Sequence, residues 1–201
     1  MHISEGVLSA PVLITGAVLT TGGVIIGLKK MPYEQIPEVA VLLSAFFVAS
    51  LIHVPIGPSS VHLVLNGLIG LLLGWMTFPA IFVALTLQAL LFQFGGLTTL
   101  GVNTFNMATP GLLAFYLFRP FALSEKTIIS GLAGFLSGIT GIGLGALLVA
   151  ISLVTTGKAF MNVAKLVIII HLPLMVIEGI ITAFCIIFLK KVKPELLEVK
   201  I

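Results

Sequence analysis

The first two residues, Met1 and His2, can offer three nitrogen donors to a single metal ion. The α-amine, the amide nitrogen joining residues 1 and 2, and the His2 imidazole close fused chelate rings with no further scaffold. The amide must lose its proton, which only a strongly polarising late first-row ion favours. Three nitrogens in a plane leave one equatorial position that another imidazole would fill. Tetragonal all-nitrogen ligation suits Ni(II) or Cu(II) and accepts Co(II). Taken alone, the dipeptide reads better as an arbitrary chain start, so a further donor has to be found.

The chain holds three more histidines, His53, His62 and His171. Two of them flank the stretch His53-Val-Pro-Ile-Gly-Pro-Ser-Ser-Val-His62, where two prolines and a glycine interrupt the apolar pattern. Ser59 or Ser60 is expected to cap a helix there, with His62 in its first turn. That makes His62 the better-placed fourth ligand. His53, where the preceding segment runs out, reads as an interfacial residue or as a partner behind the ligands. Asn103 and Asn106, in Gly-Val-Asn-Thr-Phe-Asn-Met, share one helix face. Buried amides need hydrogen-bond partners, so the pair could orient a histidine ring or the folded-in N-terminus; for Asn103 a plain helix cap serves equally. His171 and Glu178 are seven residues apart and return to nearly the same face. Glu178 precedes Lys190 by 12 residues, roughly 18 Å of helix. An intramembrane acid is a functional candidate, with a packing hydrogen bond between helices as the plain alternative.

These residues must be positioned by membrane helices. The chain has 201 residues, of which 59% are hydrophobic and 8% charged, with mean hydropathy +1.26. A soluble domain carries roughly 25% charged residues, so so few polar groups could not cover a water-facing surface. Apolar runs occupy about 11–28, 37–53, 60–76, 78–97, 104–118, 127–156 and 159–189, against roughly 20 residues for a spanning helix. The expectation is an all-α integral membrane protein, a bundle of seven transmembrane helices forming one domain over residues 1–201. Cys185 is the single cysteine, which excludes an internal disulfide and any Cys-rich metal site.

Charge sets the expected sidedness. With seven spans, Lys29, Lys30, Arg119, Lys126, Lys190, Lys191, Lys193 and Lys200 fall on one side, and Lys158 and Lys165 on the other. Positive residues stay cytoplasmic, so the C-terminus is expected inside and the N-terminus outside. The basic balance is thereby explained by topology, with no nucleic-acid partner implied. No basic residue precedes Lys29, so the start of the chain lacks the basic region of a secretory signal and is expected to be retained. All four histidines then gather toward the outer face.

The Met1-His2-Ile-x-Glu-Gly start, the Pro-Ile-Gly-Pro-Ser-Ser-Val-His62 turn, Gly-Val-Asn103-Thr-Phe-Asn106-Met-Ala and His171…Glu178-Gly-Ile-Ile-Thr resemble the CbiM/NikM family. These are substrate-binding S components of energy-coupling-factor importers for cobalt and nickel. The resemblance covers essentially the whole chain; one departure is Gly57-Pro58, where members often read Pro-Gly. It implies a seven-helix S component whose N-terminus folds into the bundle. There the Met1 amine, the His2 amide and imidazole, and His62 hold the ion in a square plane, with Ni2+ or Co2+ as transported substrate. It also implies a prokaryotic cytoplasmic membrane and partners: a transmembrane T component, two cytoplasmic ATPases and often a small accessory membrane protein. No G-x-x-x-x-G-K-[ST] occurs, so the chain itself has no such cradle for nucleotide phosphates. Close helix contact needs small residues. Ala45-x-x-x-Ala49 has the spacing such S components use against the T component, while Gly134-x-x-x-Gly138 and Gly141-x-x-x-Gly145 read as internal packing.

Rival classes fare less well. An intramembrane metalloprotease would need His-Glu-x-x-His, which is absent. A stand-alone carrier or channel would show inverted repeats or several mid-membrane charges, and only Glu178 qualifies. A ligand-free structural subunit leaves the gathered histidines unexplained.

Overall fold

A computed structural model describes residues 2–51, 53–56 and 59–197. The apolar runs become seven α-helices: α1 (Ala10–Lys29), α2 (Ile36–Ala49), α3 (Asn66–Leu73), α4 (Thr77–Phe92), α5 (Leu100–Ala122), α6 (Thr127–Thr156) and α7 (Met161–Val192). Prolines in the first turns of α1 and α2 remove amide donors that no helix could satisfy. A 3-10 turn over Gly74–Met76 joins α3 to α4.

One expectation is overturned. The residues around His62 are strand, not the first turn of a helix. β1 (His53–Ile56) and β2 (Ser59–His62) form a two-stranded antiparallel hairpin with His53 opposite His62. The helix begins only at Asn66, with Leu65 as its N-cap and no capping side chain on its own strand. The physical reason is local: Pro55 and Pro58 disfavour the helical region in the residues before them, and Val54, Ile56 and Val61 favour extended backbone. The fold is therefore helical apart from this hairpin among the described residues.

Four stretches are long and apolar enough to cross a membrane among the described residues: Ala10–Lys29, Asn66–Phe92, Thr127–Thr156 and Lys158–Val192. Residues Leu90, Leu91, Phe184 and Phe188 are each more than half exposed, whereas Asn66, Gln88, Asn103 and Glu178 are at most 2% exposed. Apolar faces outward and polar groups inward are what a bilayer, not water, stabilises. The chain is a multi-pass integral membrane protein.

Inside the bundle, close helix approach depends on missing side chains. A Cβ at Gly138 of α6 would lie 2.6 Å from the Glu178 carbonyl oxygen and 2.7 Å from its carbon, and one at Gly134 would lie 3.0 Å from the Ala183 Cα. The glycine motif of α6 thus seats α7. Asn66 ties three helices by donating from Nδ2 to the carbonyls of Met107 (3.2 Å) on α5 and Gly141 (3.0 Å) on α6. Gly138→Ala is expected to destabilise by about 1–3 kcal/mol through overpacking. Gly22→Ala, where a Cβ meets nothing within 4 Å, should leave the thermal midpoint unchanged or slightly raised. Equal midpoints for the two variants would refute the tight α6–α7 seam.

Candidate metal site

The segment ahead of α1 turns into the bundle. His2 is 4% exposed and Ile3 is fully buried. Asn103 of α5 holds this tail by the backbone: Ile3 N–H donates to Asn103 Oδ1 (2.9 Å), and Asn103 Nδ2 donates to the Ile3 carbonyl (3.0 Å). One side-chain amide thereby supplies the acceptor and donor that a neighbouring strand would. The Glu5 N–H donates to the Gly95 carbonyl at 3.0 Å, and the Glu5 carboxyl accepts from the Thr98 N–H at 3.3 Å. Gly95 (φ +75°) and Gly96 (φ +159°) make room for this: a Cβ at Gly95 would lie 2.9 Å from Asn103 Nδ2, and one at Gly96 would overlap the Glu5 carboxyl.

Folding the tail inward brings His2 against His62, which is 3% exposed at the end of β2. His2 Nδ1 and His62 Nε2 are 3.1 Å apart, with ring centroids 4.7 Å apart and planes tilted by 32°. The surrounding network assigns the tautomers. His62 Nδ1 lies 2.8 Å from the Leu63 carbonyl, so it carries the proton. For His2, the chain is longer. Ser50 donates from Oγ to the Phe47 carbonyl at 2.8 Å, leaving Oγ to accept from Gln88 Nε2. That orients Gln88 Oε1 at His2 Nε2, 2.8 Å away, which must be the protonated nitrogen.

Each ring is thus held through one N–H so that its other nitrogen presents a lone pair toward the other ring. A backbone or side-chain acceptor fixing the remote ring N–H is the usual device for orienting a metal-binding histidine. The separation also fits. Two nitrogens at about 2.0–2.1 Å from one ion and at right angles are about 2.9 Å apart. For His2 the inward atom is Nδ1, which is the ring nitrogen that closes a six-membered chelate with its own amide. The arrangement can hold a divalent ion between the rings. No group of three or more His, Cys, Asp or Glu side chains able to hold a metal occurs among the described residues.

The other residues singled out from the sequence are dispersed. Met1, Gly57 and Pro58 lie outside the described residues, as does the side chain of His53, whose backbone pairs with that of His62. Asn103 holds the tail, but Asn106 does not reach it and donates to Ser152 Oγ at 3.2 Å. His171 is 1% exposed; its Nδ1 sits 2.6 Å from the Val167 carbonyl one turn back, and Nε2 has no hydrogen-bond partner. Glu178, fully buried, accepts the N–H groups of Val64 (2.5 Å) and Leu65 (3.1 and 3.0 Å). Ala45 is exposed and Ala49 half-buried on α2. Gln88 and Ser50 were not legible as site residues. Their one signal is that Gln88 is the lone amide inside the apolar run of α4.

The whole chain resembles known proteins. A family model described as CbiM, cobalt uptake substrate-specific transmembrane region, matches residues 2–196. A relative from Haemophilus influenzae, described as a metal transport protein, is 43% identical and aligns over 98% of this chain and 97% of its own length. The cobalt transport protein CbiM of Sorangium cellulosum is 32% identical over 98% of this chain and 95% of its own. The fused nickel transport protein NikMN of Rhodobacter capsulatus is 30% identical over 98% of this chain but only 64% of its own. A crystal structure of a transition metal transporter shares the fold, with TM-score 0.78 and 24% identity over 96% of this chain and 93% of that one.

Proposed function

The chain belongs to the CbiM family of substrate-specific transmembrane regions for cobalt uptake, and from that premise we propose that it captures Ni(II) or Co(II) at the outer face of a prokaryotic cytoplasmic membrane as the substrate-binding component of an ATP-driven importer. The observation that carries the reading is the buried pair of His2 Nδ1 and His62 Nε2, 3.1 Å apart and each fixed through its other nitrogen. In this reading the amine of Met1 and the amide of His2 supply the other two donors of a four-nitrogen set. Such a set suits late first-row ions and does not by itself separate nickel from cobalt.

In this reading seven helices span the bilayer. The eight-to-two distribution of Lys and Arg places the C-terminus in the cytoplasm and the site outside. In the same reading ATP is hydrolysed by two cytoplasmic partner subunits and coupled through a transmembrane T component, the chain itself carrying no phosphate-binding loop of the Walker type. The longer fused relative supports a further small membrane unit in the assembly. Ala45, exposed on α2 with Ala49 one turn on, forms the small-residue surface against which the T component packs.

One preparation tests both halves. The chain purified with a native N-terminus and a C-terminal tag is expected to carry about one Ni(II) or Co(II). Ala45→Leu should retain that metal yet fail to co-purify with the T component. Metal-free wild-type protein after incubation with either ion would sink the capture role. An intact complex with Ala45→Leu, or loss of its metal, would move Ala45 to internal packing.

A further inference from the structure

From the geometry we infer that Glu178 is a positioning residue of the metal site, acting from α7 through the backbone that follows His62. This rests on the metal-capture reading above and extends it to a residue that touches no ligand.

The observations begin with the chain just past His62. Residues 63–65 form no regular element, and α3 starts at Asn66. Leu65 has φ +53° and ψ +17°, a left-handed conformation that a branched side chain rarely adopts. Nothing in the segment's own sequence favours it, since no glycine or asparagine stands there. The Leu65 N–H donates to both carboxyl oxygens of Glu178, and the Val64 N–H donates to one of them. Both amides lie ahead of the first helical turn, so α3 cannot satisfy them, and water does not reach a fully buried Glu178. The carboxyl group from 113 and 114 residues away supplies the acceptor, where an N-cap side chain would ordinarily do so.

The consequence for the ion is positional. His62 lies two residues before Val64, and its ring is oriented by the carbonyl of Leu63. Leu63 sits between His62 and the two clamped amides. Fixing Val64 and Leu65 therefore fixes the carbonyl that sets the tautomer and direction of the His62 ring. Glu178 in turn has a defined place because α7 packs on Gly138 of α6 at the Glu178 carbonyl. The metal site is thereby anchored at one end by Asn103 on the tail and at the other by Glu178 on α7.

A positioning role through His62 is separable from general support of the fold by a double-mutant cycle, because only the former vanishes once His62 is gone. Full-length protein in nanodiscs, with native N-terminus, is titrated with Ni(II). Glu178→Gln is expected to raise the Kd for Ni(II) at least tenfold in the wild-type background and less than twofold in His62→Ala. Equal losses in both backgrounds, or no loss in either, would overturn the assignment while leaving metal capture intact. A wild-type chain that takes up no Ni(II) would bring down both. If Glu178→Gln does not accumulate in the membrane, hydrogen exchange of the wild-type chain decides. The amides of Val64 and Leu65 are then expected to be protected without metal and more protected with Ni(II); rapid exchange in both states would overturn the clamp.

Discussion

A short extension ahead of Met1, free of histidine and cysteine, is expected to abolish high-affinity Ni(II) or Co(II) binding, whereas the same extension after Ile201 leaves it intact. The added peptide bond turns the α-amine into an amide, which binds a metal only after losing a proton of its own. It also breaks the fused ring system that starts at that amine, so two of the four donors are weakened together. The structure adds a steric reason. His2 and Ile3 are buried, and Asn103 pins the Ile3 backbone from both sides, so any added residues would have to leave from a buried point. Several residues are needed for a clean result. A single one would leave histidine third in the chain, where the amine, two amides and the ring can complete a plane alone. An ordinary surface tail tolerates such additions. Stoichiometric metal in both extended proteins would refute the terminal chelate.

His62→Ala should raise the Kd for Ni(II) at least tenfold, about 1.4 kcal/mol, with the fold retained. A chelate between Met1 and His2 would survive in this variant, and water would take the vacated position, so the expected loss is smaller than for the blocked terminus. Replacing residues that merely orient a ligand already lowers metal affinity by about 10–100-fold, which sets the floor for removing the ligand itself. His62 lies in the two-stranded hairpin and in none of the helices, so melting behaviour without metal should change little. An unaltered affinity by titration calorimetry would remove His62 from the ligand set.

The sequence made the helices legible because hydrophobicity persists over a bilayer's thickness: the run 127–156 coincides with α6 residue for residue. The short run 104–118 understated α5, which extends over Leu100–Ala122, because Asn103 and Arg119 lower hydropathy without breaking a helix. The hairpin was hidden for a different reason. Four-residue strands leave too little period to recognise, and the irregular stretch that follows them is held at Val64 and Leu65 by a tertiary partner, Glu178, far along the chain. His2 could be singled out from chain chemistry alone, since a terminal amine, an amide and an imidazole need no fold to chelate. The ring-orienting pair Gln88 and Ser50 could not. Their role depends on α2 and α4 lying side by side, which no local pattern encodes. Asn103 and Asn106 look alike in sequence, yet only Asn103 faces the tail.

The pinning of the tail also has a temporal side. His2 bonds to Gln88, 86 residues on, Ile3 to Asn103, 100 residues on, and Val64 to Glu178, 114 residues on. During synthesis the N-terminal segment is made first, yet everything that receives it emerges later, and the last clamp arrives only with α7. The tail can therefore dock only after the helices that receive it have been made, as a late step of folding. A ribosome-bound chain halted before α5 would carry His2 and His62 without Asn103 to hold the tail.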